Sequence, residues 1–223
     1  VKQRAALPKR EPLPVSGVNR VHILSHPLVA QQIASLRHKD TDSQIFRTLL
    51  RRLSTILLYE ASRSFPQRKI SVPTPLMSTS GLVIDARIAL VPILRAGLGM
   101  VEAILDVLPN VQVCHVGVKR NEKTLEPMQY YSRLPEENST DIALVLDPML
   151  ATGGSACKVI SELKKKRIAQ IKFLGILAAP EGLQRLTSEH PDADVYVCAL
   201  DEKLNDHGYI LPGLGDAGDR QFS

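Results

Sequence analysis

The residues best placed to do chemistry lie in the stretch VLDPMLATGGS, residues 145–155, where an acid, Asp147, precedes the small and hydroxyl residues Ala151, Thr152, Gly153, Gly154 and Ser155. Glycines at 153 and 154 let the main chain approach an oxyanion without a Cβ in the way, while Thr152 and Ser155 add hydroxyl donors. The run IALVL up to Leu146 has the aliphatic continuity of a strand covered on both faces, and Ala156, Val159, Ile160 and Leu163 fall on one face of a helix. Strand, small-residue turn and helix in that order leave unpaired N–H groups at a helix N-terminus, where the dipole also favours negative charge. Such a turn can cradle a phosphate; small polar turns between strand and helix also occur for steric reasons alone.

A second turn, VPILRAGLGM at 91–100, puts Arg95 directly after an apolar strand and before Gly97 and Gly99 at a helix start. Ligands of open α/β sheets collect beyond the carboxyl ends of the strands, so Arg95 and the 147–155 turn are expected to share one crevice. An arginine at a strand end either binds an anion or forms a structural ion pair, and glycine neighbours that admit a bulky anion favour binding. A third segment, DHGYILPGLGDAGDR at 206–220, contains G-x-G-x-x-G at Gly213, Gly215 and Gly218. A dinucleotide fingerprint needs a βαβ unit after it, and a chain of 223 residues leaves five after Gly218, so that reading fails. An ordered loop is expected instead, because its backbone polar groups need partners; a tail frayed in solvent is the alternative.

Together these segments resemble one family. DPMLATGGS is similar to the phosphoribosyl diphosphate (PRPP) loop of type I phosphoribosyltransferases, in the version carried by uracil phosphoribosyltransferases, where Asp147 is followed by Pro148 rather than by a second acid. LRAGLGM and GYILPGLGDAGDR resemble the same family in the same order, and the likeness runs from about His26 to Phe222. It implies a type I phosphoribosyltransferase-like α/β fold, a mostly parallel central sheet flanked by helices, with a projecting β-hairpin and a C-terminal hood over the base. The implied reaction is transfer of ribose 5-phosphate from PRPP to uracil, giving UMP and pyrophosphate by displacement at ribose C1 in pyrimidine salvage. Mg²⁺ would accompany PRPP, held mainly by PRPP and water with no direct protein ligand.

By the same resemblance Arg95, and Arg120 in GVKRNEKT, contact PRPP. Asp147, Pro148, Met149, Leu150, Ala151, Thr152, Gly153, Gly154 and Ser155 form its loop, with the 5′-phosphate on 152–155 and the ribose hydroxyls near Asp147. Asp216 faces PRPP, and the main chain of Ile210, Gly215, Asp216 and Ala217 reads the uracil. Arg95, Arg120 and Asp216 are the implied catalytic groups. Read alone, Arg120 is only a surface charge. The family also implies a homodimer or homotetramer and, in some members, GTP as an allosteric effector. It usually continues a few residues past Phe222, whereas this chain ends at Ser223.

Main-chain recognition suits this base. Uracil offers two carbonyl acceptors flanking an N3–H donor, whereas cytosine has a donor at position 4 and a bare N3. Each mismatched buried group costs roughly 1–3 kcal/mol.

Around these turns the periodicity places the framework. Residues 1–20 read as a flexible arm and 21–223 as a single domain, with the hairpin at about 117–134 and the base-binding segment at about 201–223. A short helix over 26–37 with Ser25 as N-cap and a longer one capped by Asp42 or Ser43 precede the core. Residues 69–83 are expected to be irregular or a hairpin. Strands at 88–94, 111–118, 142–146, 171–177 and 195–200, with helices at 97–108, 154–167 and about 181–189, give the βα alternation of a parallel sheet. Arg47, Arg51, Arg52 and Arg63 read as the solvated back of an amphipathic helix rather than a phosphate or RNA patch.

The composition excludes several classes. Aromatics are only 4% and Trp is absent, so a base-stacking platform for nucleic acid is poorly supplied, and the +5 net charge is spread over scattered Lys and Arg. An RNA-binding regulator on the same fold, which would need a coherent basic face, is therefore the less favoured reading. A catalytically silent sensor is disfavoured by Arg95, Asp147 and Asp216. Three cysteines, Cys114, Cys157 and Cys198, lack C-x-x-C spacing, and six histidines show no H-E-x-x-H, so neither a disulfide framework nor a zinc site is expected. Serines lack a G-x-S-x-G setting and there is no P-loop, against hydrolase and ATPase readings. Neither a membrane span nor a secretory signal is expected; the cytoplasm is, in preference to an organelle addressed by the basic N-terminus.

Overall fold

The computed structural model describes residues 20–120 and 127–223. The expected N-terminal arm therefore lies outside the described residues except for Arg20. In chain order the elements are β1 (Val21–Ile23), α1 (Pro27–Arg37), α2 (Ser43–Ala61), β2 (Gln67–Pro73), β3 (Ser78–Ile84), β4 (Ile88–Leu94), α3 (Leu98–Leu105), β5 (Gln112–Val113), β6 (Val116–Arg120), β7 (Pro127–Ser132), β8 (Ile142–Leu146), β9 (Met149–Leu150), α4 (Gly154–Lys165), β10 (Gln170–Ala178), α5 (Pro180–Glu189), β11 (Asp194–Leu200), β12 (Lys203–Leu204), β13 (Ile210–Leu211) and α6 (Ala217–Phe222).

Continuous apolar strands of this kind need cover on both faces, and they have it. The sheet runs β1-β11-β10-β8-β4-β6-β7, with β5 on β4 and β9 on β10. Its pairs are parallel except β6 with β7. Alternation divides β4 between the two faces: Ile88 and Leu90 pack with α1, α2 and α3, while Ala89, Val91 and Ile93 pack with α4 and α5. Phe46, Leu50, Leu53 and Leu57 of α2 are wholly buried on the first face. Each such side chain contributes about 1.5–3 kcal/mol by leaving water, which fixes the strand ends that carry the site.

Two local expectations are corrected and one strand is added. The strand expected over 111–118 is interrupted at 114–115, opposite Pro92 of β4, which has no N–H for that rung; Cys114 still donates to Leu90 O at 2.8 Å. The cap of α1 is His26 rather than Ser25, because Pro27 occupies the first helical position and His26 Nδ1 accepts the Leu28 N–H at 3.1 Å. Residues 21–23, where no strand was expected, form an edge strand: β1 lies parallel to β11, with the His22 ring stacked on Tyr196 at 4.3 Å between centroids.

Residues 69–83 lie in an antiparallel hairpin, β2 with β3, which forms its own two-stranded sheet and exposes Leu76, Met77 and Leu82. The other expected hairpin is β6 with β7, paired from Val116↔Ser132 to Arg120↔Pro127 with a register shift at Gly117/Val118. Its tip, 121–126, and the side chain of Arg120 lie outside what the structure describes. No described helix is long and apolar enough to cross a membrane.

Candidate active site

β4 and β8 are neighbours in register, Pro92 against Leu146, so Arg95 and Asp147 leave the sheet side by side at the carboxyl ends of adjacent parallel strands. Beyond them lies a cavity of about 480 Å³. Ala96, Asp147, Met149 and Ala151 line it from the strand ends; His207, Gly208, Tyr209, Ile210, Gly215, Asp216, Ala217 and Gly218 line it from the C-terminal segment. Asp147, Met149 and Ala151 of the first segment and Ile210 and residues 215–218 of the C-terminal one thus share one chamber, while Arg95 and residues 152–155 lie outside its lining.

Within the first turn, position decides which groups can face a ligand. Pro148 and Leu150 are buried, and their carbonyls accept Ile176 N–H, Leu177 N–H and Ala179 N–H at 2.9–3.0 Å, so they anchor the turn to β10. Gly153 takes the N-cap position of α4 with φ +76°, a left-handed conformation that glycine adopts without a Cβ penalty. Thr152, Gly154 and Ser155 follow at the mouth of that helix. Asp147 accepts the Met149 N–H at 3.3 Å. Burial pushes its carboxyl up to about 7, and the Asp216 charge adds to the rise against that hydrogen bond.

The C-terminal segment, expected as a loop, ends in α6. Asp216 is its N-cap, accepting the Asp219 N–H at 2.9 Å. Asp219 in turn meets Arg95, Nη2 to Oδ1 3.1 Å. Arg95 therefore stands at the rim beside α6, while its neighbour Ala96 forms the wall.

A family model described as uracil phosphoribosyltransferase matches residues 23–223. The chain belongs to that family. It is similar to the uracil phosphoribosyltransferases of Dictyoglomus turgidum (51% identical over 203 residues, 91% of this chain and 98% of that one) and Roseiflexus sp. (53%, with the same coverage). That of Bacillus cereus is 47% identical over 206 residues, 92% of this chain and 99% of the relative. Among solved structures, the AQ2163 protein of Aquifex aeolicus superposes with a TM-score of 0.86 at 41% identity, covering 91% of this chain and 97% of that one.

In this member of the uracil phosphoribosyltransferase family, several residues that build the site had no assignment in the sequence reading. Arg37 pairs with the side chain of Asp201 through both its terminal nitrogens and donates to Gly213 O at 2.7 Å, while Asp201 also accepts the Gly213 N–H at 2.9 Å. Arg220 donates to Leu36 O, His38 O and Leu214 O at 2.7–3.0 Å with its guanidinium over the Phe46 ring, tying the hood to the end of α1. Gly182 of α5 presses against the turn after β8: a Cβ there would sit 2.2 Å from Ala151 O. Tyr209 and His207 complete the cavity wall. Only the Gly-rich wording hinted at these contacts, since their partners are far away in sequence.

Asp147 and Asp216 place two carboxylates in one chamber, and the Asp216 charge disfavours ionisation of Asp147. Hard oxygen donors with excess negative charge fit a divalent cation such as Mg²⁺. A separate group, Cys157, Glu189 and His190, brings ligand-type atoms within 4.8 Å of one another between α4 and α5. There Arg185 already pairs with Glu189 at 2.7 Å, and burial pushes the Cys157 thiol up to about 12.

Proposed function

We propose that this chain transfers the 5-phosphoribosyl group of PRPP to N1 of uracil, forming UMP and pyrophosphate. The observation that carries the reading is the single cavity between the Asp147–Ala151 turn and the Ile210, Gly215–Ala217 loop.

The N–H groups at the start of α4, with Thr152 and Ser155, hold the 5′-phosphate, while the missing Cβ of Gly153 lets the turn close against Gly182 of α5, whose carbonyl oxygen would lie 2.8 Å from it. The Asp147 carboxyl accepts ribose hydroxyls. The Ile210 and Gly215–Ala217 main chain matches the acceptor–donor–acceptor edge of uracil and leaves cytosine mispaired. As the C1–oxygen bond breaks, positive charge develops on the sugar and negative charge on the departing pyrophosphate; Arg95 and Arg120 stabilise the latter, and the pocket aligns N1 with C1. Mg²⁺ bound with PRPP, near Asp147 and Asp216 through water, would supply further neutralisation of the pyrophosphate.

Arg120 on the β6–β7 hairpin would also exclude water when the hairpin closes, so Arg120→Ala should depress turnover far more than uracil binding. Assembly as a homodimer or homotetramer, GTP as effector and a cytoplasmic location complete the reading; sedimentation with and without GTP tests the first two. The reaction is tested by incubating the protein with PRPP, Mg²⁺ and uracil and identifying products: UMP and pyrophosphate in equal amounts support it, and hydrolysis of PRPP alone overturns it.

A further inference from the structure

The two walls of the cavity are joined by one side chain. Gln221, on α6, is wholly buried, and its Nε2 donates both to Ala96 O at 3.1 Å and to Ala217 O at 2.7 Å. Ala96 belongs to the pyrophosphate-side turn and Ala217 to the base loop, and both line the cavity. The amide is pressed against α3, since a Cβ on Gly99 would lie 1.8 Å from its Oε1. That oxygen has no hydrogen-bond partner. A buried carbonyl without a partner is costly, so packing alone would be served better by an apolar side chain of the same length.

We infer that Gln221 is a positioning residue for the transfer reaction: its amide sets the gap between the turn that holds pyrophosphate and the loop that holds the base. This rests on the function proposed above. PRPP touches the Ala96 side, the phosphate turn and Asp216, and UMP touches the phosphate turn and the Ala217 side. Only the complex with PRPP and uracil together loads the Ala96 and Ala217 contacts at once. A shift of about 1 Å between them can cost on the order of a hundredfold in rate while leaving each half-site intact.

The variant Gln221→Met keeps length and volume but donates nothing, and Gly99→Ala displaces the same amide from the opposite side. The measurements are kcat per binding-competent site with PRPP and uracil, Kd for PRPP alone, Kd for UMP alone, and the melting temperature. Both variants are expected to lose roughly 10- to 100-fold in kcat, with both Kd values within about threefold of the parent. Unchanged kcat per competent site in a variant that binds both ligands overturns the inference, as does a parallel loss of kcat and both affinities. Asp216→Ala run alongside separates the two levels: if it transfers normally the underlying site is wrong, whereas if it is inactive and Gln221→Met is normal only the role of Gln221 fails.

Discussion

Arg95 and Asp219 form an ion pair, Nη2 to Oδ1 3.1 Å, that joins the end of β4 to the C-terminal helix. Both side chains are nearly two-thirds exposed, at 64% and 63%, so water screens the pair and its stability contribution is at most about 1 kcal/mol. Its consequence lies in where it leaves the guanidinium: at the rim, beside the wall formed by Ala96. Arg95→Ala should therefore melt within about 4 °C of the parent yet lose roughly 100-fold or more in kcat/KM for PRPP. Steady-state kinetics with PRPP varied at saturating uracil decides this, and near-parental kinetics would remove Arg95 from the site.

Asp147 gives a pH signature. Its folded carboxyl is raised to about 7 by burial and by Asp216, whereas an unfolded aspartate titrates near its ordinary value of 3.8. The unfolded chain therefore gives up this proton more readily, and stability from this group is present in full below pH 3.8 and declines as pH rises toward about 7. Asp147→Asn, which can still accept from Met149, should melt above the parent at pH 8, with the difference shrinking toward pH 4. A difference of equal size at both pH values would contradict the assignment.

Gly182 predicts a defect transmitted through packing. Alanine there brings a methyl group within 2.2 Å of Ala151 O and 2.8 Å of Leu150 O, so either α5 or the phosphate turn must move. Gly182→Ala should raise KM for PRPP about tenfold or more while leaving uracil selectivity unchanged. Initial rates at varied PRPP check the first part, and the ratio of rates with uracil and 5-fluorouracil checks the second.

Arg37 holds the hood from the opposite side. The Asp201 side chain is only 4% exposed, and removing its partner leaves a buried charge at a cost of about 3–5 kcal/mol. Arg37→Ala should lower the melting temperature by roughly 10 °C and raise KM for uracil more than KM for PRPP. Thermal denaturation together with two substrate titrations measures both effects.

How much of this could be read from the chain follows from how local each determinant is. β4 and β8 are continuous apolar runs, β10 and β11 largely apolar ones, and Arg95 and Asp147 immediately follow the first two, so the sheet and the strand ends that open on the cavity were legible. The Asp42 cap of α2, whose carboxylate accepts the Ile45 N–H at 2.8 Å, was equally local. β12, β13 and α6 are short and were not foreseen, because Arg37, Asp201 and Arg220 hold that region through contacts between distant parts of the chain. β1 was missed for a related reason: a three-residue edge strand with His22 at its centre carries little periodicity, and only β11 makes it a strand. Gly182 looked like an ordinary helix residue and Gln221 like the end of a loop, since what each touches appears only when the turns converge.

The claim at the centre is that one chamber grips a ribose phosphate on one side and sorts bases by main-chain polarity on the other. It is tested most directly by kcat/KM with PRPP and each of uracil, cytosine, hypoxanthine and orotate. Uracil should exceed cytosine by at least about 100-fold, the cost of two mispaired buried groups, and the other two should be slower still. Comparable rates with uracil and cytosine, or transfer to hypoxanthine or orotate alone, would contradict it.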